Sequence, residues 1–316
     1  MPSRSGPSGT RRRSTRCAVD ANGWLGWRAL DQGDGALTIL QAIILGLTQG
    51  VTEFAPISSS GHLILVPWVF DWPILADPDL NKTFDVALHI GTLVGALAYF
   101  RRDVWRYLVA WIRSVRARAI EDTDQRIAWA IVIGTIPGVI IGATLEQVIQ
   151  DHLGQPWLIA VMLAVFGVVL YVVDRRARDD RDLEDVTVSK GWWLGVAQAL
   201  ALQPGVSRSG VTITAARAFG FERATAARVS FLLALPIIAG AGVYKGLDLV
   251  REGIPPGFAA PFLAGTIAAA VSGFLVIWGL LAYLRRRDLS VFLWYRLAAA
   301  AVVFGVIAFG GRPATI

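Results

Sequence analysis

Polar residues interrupt an apolar stretch near the start of the chain, in the segment GLTQGVTEFAPISSSGHLIL (46–65). Gln49 and Glu53 are spaced to share one face of a helix, where they can present two oxygens to one cation or substrate group. Ser59 and His62 follow, and a hydroxyl beside an imidazole is a minimal set for an activated nucleophile. The imidazole could also attack, or protonate a leaving group, so the nucleophile stays open between Ser59 and His62.

A second polar segment, QPGVSRSG (203–210), places Arg208 inside an apolar stretch. Its guanidinium has a fork geometry that suits phosphate oxygens, and neighbouring glycines allow backbone N–H groups to converge on an anion. Arg208 could instead snorkel or pair with Glu53, and such pairing would not exclude catalysis. The predicted phosphate-binding residues are Ser58, Ser60, Gly205, Ser207, Ser209 and Gly210.

The two segments together form a phosphate-handling set, with an anion clamp, a nucleophile or base, and oxygen ligands for a cation. Gln49 and Glu53 are the predicted metal ligands, and their oxygen atoms favour a hard divalent cation, Mg²⁺ or Ca²⁺. In a membrane protein, the simplest phosphate-bearing substrate is a lipid phosphate or diphosphate.

The rest of the chain predicts an all-α integral membrane protein. It is 54% hydrophobic and 17% charged, with a mean hydropathy of +0.53. The basic residues fall mainly in short blocks between apolar segments, so the net charge of +6 indicates membrane topology rather than nucleic-acid binding. Apolar segments long enough, or nearly so, to cross a bilayer occur at 84–100, 127–146, 157–173, 225–247, 258–284 and 291–310.

Arginine placement predicts the orientation of these crossings. The connections 101–126 and 285–290 are Arg-rich and are expected on the cytoplasmic side, whereas 147–156 has no Lys or Arg and is expected outside. The six crossings then alternate without conflict. Residues 1–37 hold six Arg, and by the same rule they would lie inside and make 38–57 a true crossing.

An internal repeat favours a different arrangement for 38–72. At an offset of 149 residues, ISSSG lies over VSRSG, and Leu45, Gly46 and Gln49 match Leu194, Gly195 and Gln198. A broken segment followed by three crossings, present twice, predicts an inverted-topology repeat with two re-entrant helical hairpins whose tips meet. The predicted parts are a disordered extension (1–36), a first repeat (37–176), a charged linker (177–190) and a second repeat (191–312).

Other ionisable residues receive structural interpretations. His89 lies about one helical turn past Asp85, where a packed, hydrogen-bonded histidine is favoured over a supporting role at the site. Arg217 and Arg228 are expected to form ion pairs near the cytoplasmic end of a crossing.

The segments QGVTEFAPISSSGHLIL and PGVSRSG resemble the two signature motifs of the undecaprenyl-diphosphatase family of the bacitracin-resistance type, as do FDVALHIGTLVGALAYFRRD and SFLLALPIIAGAG. The resemblance covers about residues 38–310. It implies a metal-dependent enzyme of the bacterial cell membrane that removes the terminal phosphate of undecaprenyl diphosphate at the outer face. That reaction recycles the lipid carrier for peptidoglycan synthesis and confers bacitracin resistance. The catalytic residues implied are Glu53, Ser59, His62 and Arg208.

Two departures from the family pattern stand out. Gln49 occupies a position where many members have Glu, and Val206 occupies one where many have Thr. Membrane phosphatidic-acid phosphatases are a poorer match, because they need a His six residues after the Arg, where this chain has Thr214. The alternative function is a transporter or flippase of a phosphorylated polyprenyl lipid, which would need the anion clamp but no nucleophile and base. A homodimer is compatible with either function.

Overall fold

The computed structural model describes residues 37–72, 78–252 and 257–315. The extension expected at 1–36 lies outside this part of the chain. Within it the regular structure is helical, apart from one isolated bridge between Arg181 and Phe221. The predicted all-α class is therefore confirmed.

Two short helices and three long ones make up the first part of the fold. α1 begins with a capping box, in which the Thr38 hydroxyl accepts a hydrogen bond from the backbone of Gln41 and the Gln41 side chain accepts one from the backbone of Thr38. The helices are α1 (Ile39–Phe54), α2 (Ser59–Phe70), α3 (Pro78–Ala117), α4 (Thr123–His152) and α5 (Pro156–Arg176).

The same order of short and long helices follows in the second part. Short 3-10 turns at Leu183–Asp185 and Leu200–Leu202 precede and end the first short helix. The helices are α6 (Val188–Ala199), α7 (Arg208–Ala218), α8 (Arg223–Glu252), α9 (Ala259–Leu284) and α10 (Ser290–Ala308).

Six helices in the described ranges are long and apolar enough to cross a membrane: α3, α4, α5, α8, α9 and α10. They coincide with the six predicted crossings, which are thereby confirmed. Large apolar side chains such as Val94, Leu263 and Trp278 face outward on them. Outward-facing apolar side chains are expected where the surrounding solvent is lipid.

The helix α3 is longer than predicted, because residues 101–117 continue it and do not form a loop. This stretch contains no Gly or Pro, and Tyr107, Ala110 and Ser114 are buried with a helical spacing. The helix ends where Arg118 adopts a positive φ of 53° and the Ser114 hydroxyl donates to the carbonyl of Ala119. The Arg-rich segment is thus mostly an amphipathic helical extension.

Each pair of short helices packs as a hairpin around a sharp break, α1 against α2 and α6 against α7. Ser58 and Ser207 stand at the same position of the two breaks, and both have a φ of 76°, a conformation uncommon outside glycine. Each serine hydroxyl caps the following helix by accepting from a backbone N–H, that of Gly61 or of Gly210. The two sequence motifs therefore fold into the same local structure.

The first short helix of each pair packs against a long helix of the opposite half, α1 against α9 and α6 against α4. Glycines allow these close approaches. A Cβ at Gly46 would lie 2.3 Å from the carbonyl oxygen of Gly265, and one at Gly195 would lie 2.1 Å from that of Gly134. Gly46 and Gly195 are matched residues of the repeat, so in both halves a glycine at the same position allows close helix–helix packing. The inversion of the second half stays a prediction.

Adding a methyl group at either matched glycine should destabilise the fold. We expect Gly46→Ala and Gly195→Ala to cost about 1–3 kcal/mol each, because backbone atoms of the facing helix must move apart. Thermal unfolding in detergent would measure this loss. Gly279→Ala in α9 is the matched control, because no atom of the described residues lies within 4 Å of a Cβ there. Unfolding temperatures that fall equally in all three variants would contradict the packing argument.

Candidate active site

The two breaks meet inside the protein, as the repeat predicts. The Gly205 N–H donates to the Ser58 hydroxyl at 3.0 Å, and the Ser209 hydroxyl donates to the carbonyl of Ala55 at 3.0 Å. Both serines are buried. These hydrogen bonds join the first break to the second and fix the relative positions of the residues that follow each of them.

Glu53 is the centre of the polar cluster at this junction. Its Oε1 lies 2.9 Å from Nη2 of Arg208, which belongs to the other half of the chain. Its Oε2 accepts from the hydroxyl of Ser59 at 2.6 Å and from the amide of Gln49 at 3.1 Å. The structure thereby brings together four of the residues that the sequence analysis assigned to the site.

Burial makes these contacts necessary for the carboxylate. The side chain of Glu53 is only 2% exposed, and an isolated buried charge is costly unless it is paired and hydrogen-bonded. Arg208 supplies the opposite charge, and its side chain remains 21% exposed. The guanidinium can therefore hold Glu53 and still reach a ligand that arrives from outside the cluster.

His62 is held from two sides by other groups. Its Nδ1 lies 2.7 Å from the carbonyl oxygen of Ser58, and its Nε2 lies 2.8 Å from the hydroxyl of Tyr295. A carbonyl only accepts, so Nδ1 carries the hydrogen and, in the neutral ring, Nε2 accepts from Tyr295. The hydroxyl of Ser59 donates to Glu53, so its hydrogen-bond partner is this carboxylate and not the imidazole of His62.

The predicted phosphate-binding residues are mostly engaged in hydrogen bonds within or between the two breaks. The Ser207 hydroxyl accepts from Gly210 N–H and hydrogen-bonds to Ser209, and Ser58 accepts from Gly205 N–H. Ser60 is half-buried. Their assignment to phosphate binding stays a prediction, and their observed contacts give them a structural role.

Two residues of α10 join the cluster, although the sequence analysis did not select them. Tyr295 packs its ring against His62 with centroids 5.6 Å apart. Arg296 is fully buried, and its Nη2 donates to the carbonyl of Val206 at 2.7 Å, whereas Nε and Nη1 have no hydrogen-bond partner within the described chain. The signal for Arg296 was available, because a charged residue inside an apolar crossing indicates function.

His89 also lies at the site, although its sequence position favoured a packed, hydrogen-bonded histidine over a supporting role there. Its Nε2 is 3.8 Å from Oε2 of Glu53, and its side chain is 30% exposed.

The ion pairs expected for the other arginines are confirmed, since Arg217 pairs with Asp174 at 2.8 Å and Arg228 with Asp103 at 2.8 Å.

The residues around Glu53 fit a divalent cation through oxygen atoms. Oε1 of Gln49 is buried and has no hydrogen-bond partner in the described part of the chain, beside a carboxylate. Orphaned acceptors of this kind are costly unless a further group binds them. No group of three His, Cys, Asp or Glu suited to a metal occurs in the described ranges, so the Gln49 amide would have to contribute.

Six long apolar helices around a buried cluster of carboxylate, hydroxyl, imidazole and guanidinium define a multi-pass membrane protein with an enzyme-like site. The family model described as bacitracin resistance protein BacA matches residues 42–302. The chain belongs to this family.

Curated relatives cover nearly the same part of the chain. An undecaprenyl-diphosphatase of Pelobacter propionicus is 43% identical over 87% of this chain and 99% of its own length. The undecaprenyl-diphosphatase of Moorella thermoacetica is 46% identical over 85% and 98%, and that of Geobacter sulfurreducens is 45% identical over 86% and 99%. The family resemblance of the sequence motifs is thereby confirmed.

The Tyr295–His62 contact leads to a test at the site. We expect Tyr295→Phe to lower the catalytic rate about tenfold, because one hydrogen bond that orients the imidazole is lost. The measurement is turnover of diphosphate substrate by purified protein. Tyr283→Phe, whose ring packs on Phe292, is the control and should leave turnover unchanged. Full turnover in Tyr295→Phe would show that His62 needs no support from α10.

Proposed function

We propose that this protein hydrolyses undecaprenyl diphosphate to undecaprenyl phosphate and inorganic phosphate. The observation that carries the proposal is the Glu53 carboxylate, which binds a serine hydroxyl on one oxygen and a guanidinium from the other half on its second oxygen. This arrangement combines a nucleophile, a base and an anion clamp within one membrane-embedded cluster. The names of the relatives supply the substrate.

The contacts support a role for each residue in the proposed reaction. Arg208 binds the terminal phosphate through its exposed side. The Ser59 oxygen attacks the terminal phosphorus, Glu53 takes the hydroxyl proton, and the bond to the bridging oxygen breaks to release undecaprenyl phosphate. Water then attacks the phosphorus of the phosphoserine, and the serine oxygen leaves and regains its proton from Glu53. The proton of the water passes through the Tyr295 hydroxyl to Nε2 of His62, and inorganic phosphate leaves.

The proposal includes a divalent cation, Mg²⁺ or Ca²⁺, held by Gln49 and Glu53. Such a cation would neutralise charge on the diphosphate oxygens. The buried Oε1 of Gln49, which has no hydrogen-bond partner among the described residues, supports it. An amide gives one negative charge fewer than the Glu that many family members have, so binding is expected to depend on the substrate phosphates.

We further propose that the protein lies in the bacterial cell membrane with its active site open to the outer face. Released undecaprenyl phosphate would then return to service as a lipid carrier for peptidoglycan synthesis. The description of the family supports the further proposal that this activity confers bacitracin resistance. The proposal concerns a lipid substrate and involves no nucleic acid.

Phosphate release from a polyprenyl diphosphate tests the function directly. Purified protein with Mg²⁺ or Ca²⁺ should release phosphate, and Arg208→Ala or Glu53→Ala should lower the rate by about 10²–10³ or more, because charge stabilisation is lost. Arg106→Ala is the control, since Arg106 forms a half-exposed surface pair with Asp124. A wild-type protein that releases no phosphate but moves the lipid across vesicles would favour the flippase alternative.

Side-specific labelling tests the proposed orientation. Cys17 is the only cysteine, so single cysteines can be introduced in a Cys17→Ser background. We expect an impermeant thiol reagent to label His152→Cys in intact cells, and Arg118→Cys only after permeabilisation, because the Arg-rich extension of α3 lies inside. Labelling of both from outside, or in the reverse pattern, would contradict the orientation.

A further inference from the structure

We propose that His89 is a third ligand of the divalent cation, together with Gln49 and Glu53, and that this makes the site bind Mn²⁺ more tightly than Mg²⁺ or Ca²⁺. This inference rests on the proposed function, since it concerns the same site. It assigns a metal-binding role to a residue of α3, a helix that lies outside both polar segments.

The orientation of the His89 ring is the first observation. Nδ1 lies 2.8 Å from the carbonyl oxygen of Asp85, so Nδ1 carries a hydrogen and donates it. The lone pair of the neutral ring is then on Nε2, which lies 3.8 Å from Oε2 of Glu53. Two acceptors that face each other at this distance repel, unless a cation or a proton lies between them. A metal-binding histidine commonly donates its other ring nitrogen to a backbone carbonyl, as His89 does here.

The amide of Gln49 is the second and independent observation. Its side chain is fully buried and its nitrogen donates to Oε2 of Glu53 at 3.1 Å, yet its Oε1 has no partner among the described residues. A half-turn of the terminal bond of this amide exchanges its nitrogen and oxygen, and would turn Oε1 toward Oε2 of Glu53. Each carboxylate oxygen has about two lone-pair sites, so Oε2 can accept from Ser59 on one and bind a cation on the other once the amide nitrogen no longer donates to it.

Charge and access fit the same arrangement. Arg208 pairs with Oε1 of Glu53, so the cation would bind on the Oε2 side, which also faces His89. His89 is 30% exposed whereas Glu53 is 2% exposed, so the cation would bind at the open edge of the cluster. The guanidinium and the cation would then flank one carboxylate, and a diphosphate could contact both positive charges.

The imidazole determines the preference among metals. Oxygen ligands alone suit Mg²⁺ and Ca²⁺, whereas an imidazole nitrogen favours transition metals. Mn²⁺ accepts both kinds of ligand and is the member of that series closest to Mg²⁺ in its chemistry. A competing arrangement is a protonated His89 that pairs directly with Glu53, which would bind no metal through nitrogen.

Pulsed electron paramagnetic resonance of Mn²⁺ bound to the purified full-length protein separates these arrangements. We expect a nitrogen coupling in the wild type that changes when the histidines are labelled with ¹⁵N. It should persist in His152→Gln and disappear in His89→Gln and His89→Ala. Mn²⁺ affinity should fall about tenfold or more in His89→Ala and less in His89→Gln, whose amide oxygen replaces the nitrogen. Thermal unfolding of both variants shows whether they are folded.

The outcomes distinguish this inference from the proposed function. Bound Mn²⁺ without histidine coupling in the wild type, or with unchanged coupling in folded His89→Gln, would overturn the inference even if phosphate is released. Histidine coupling that depends on His89 in a protein that releases no phosphate would support the metal site and contradict the hydrolase. Tighter binding of Ca²⁺ than of Mn²⁺ would overturn the proposed preference.

Discussion

The ion pair between Glu53 and Arg208 is the interaction on which the polar centre of this protein depends. The carboxylate is almost fully buried, and its charge can remain there because a guanidinium from the other half lies 2.9 Å away. Ser59, Gln49 and His89 then use the remaining faces of the same carboxylate or lie near it. One buried charge thus positions the proposed nucleophile, the proposed anion clamp and the candidate cation ligands together.

Backbone geometry at the two breaks makes this pairing reachable. Ser58 and Ser207 turn the chain with positive φ, so that a new helix starts right behind each break. Arg208 is the first residue of its helix and Ser59 the first of the other. The helix α10 contacts both hairpins. The hydroxyl of Tyr295 hydrogen-bonds to His62, and Arg296 donates to the carbonyl of Val206. The reacting groups are therefore fixed by backbone and by neighbouring helices.

Much of this arrangement could be predicted from the sequence, because hydropathy and repetition are local signals. The six crossings and the paired breaks follow from them, and the contact between Glu53 and Arg208 was one of the alternatives that they left open. Three features could not be found in this way. The extension of α3 depends on burial of Tyr107 and Ser114 against neighbours, and the roles of His89 and Tyr295 depend on long-range packing. Arg296 is different, since the rule that selected Glu53 also applied to it.

The crosswise packing of the short helices has a consequence for how the chain is assembled during synthesis. The glycine face of α1 has its partner in α9, which leaves the ribosome much later. The face of α6, in contrast, finds α4 already made. Until α9 arrives, Gly46 and Gly50 present bare backbone without the helix that covers them. The first hairpin, which carries Glu53 and Ser59, is therefore synthesised before the helix that covers it. A nascent chain truncated before Arg208 would contain half of the site and would have no activity.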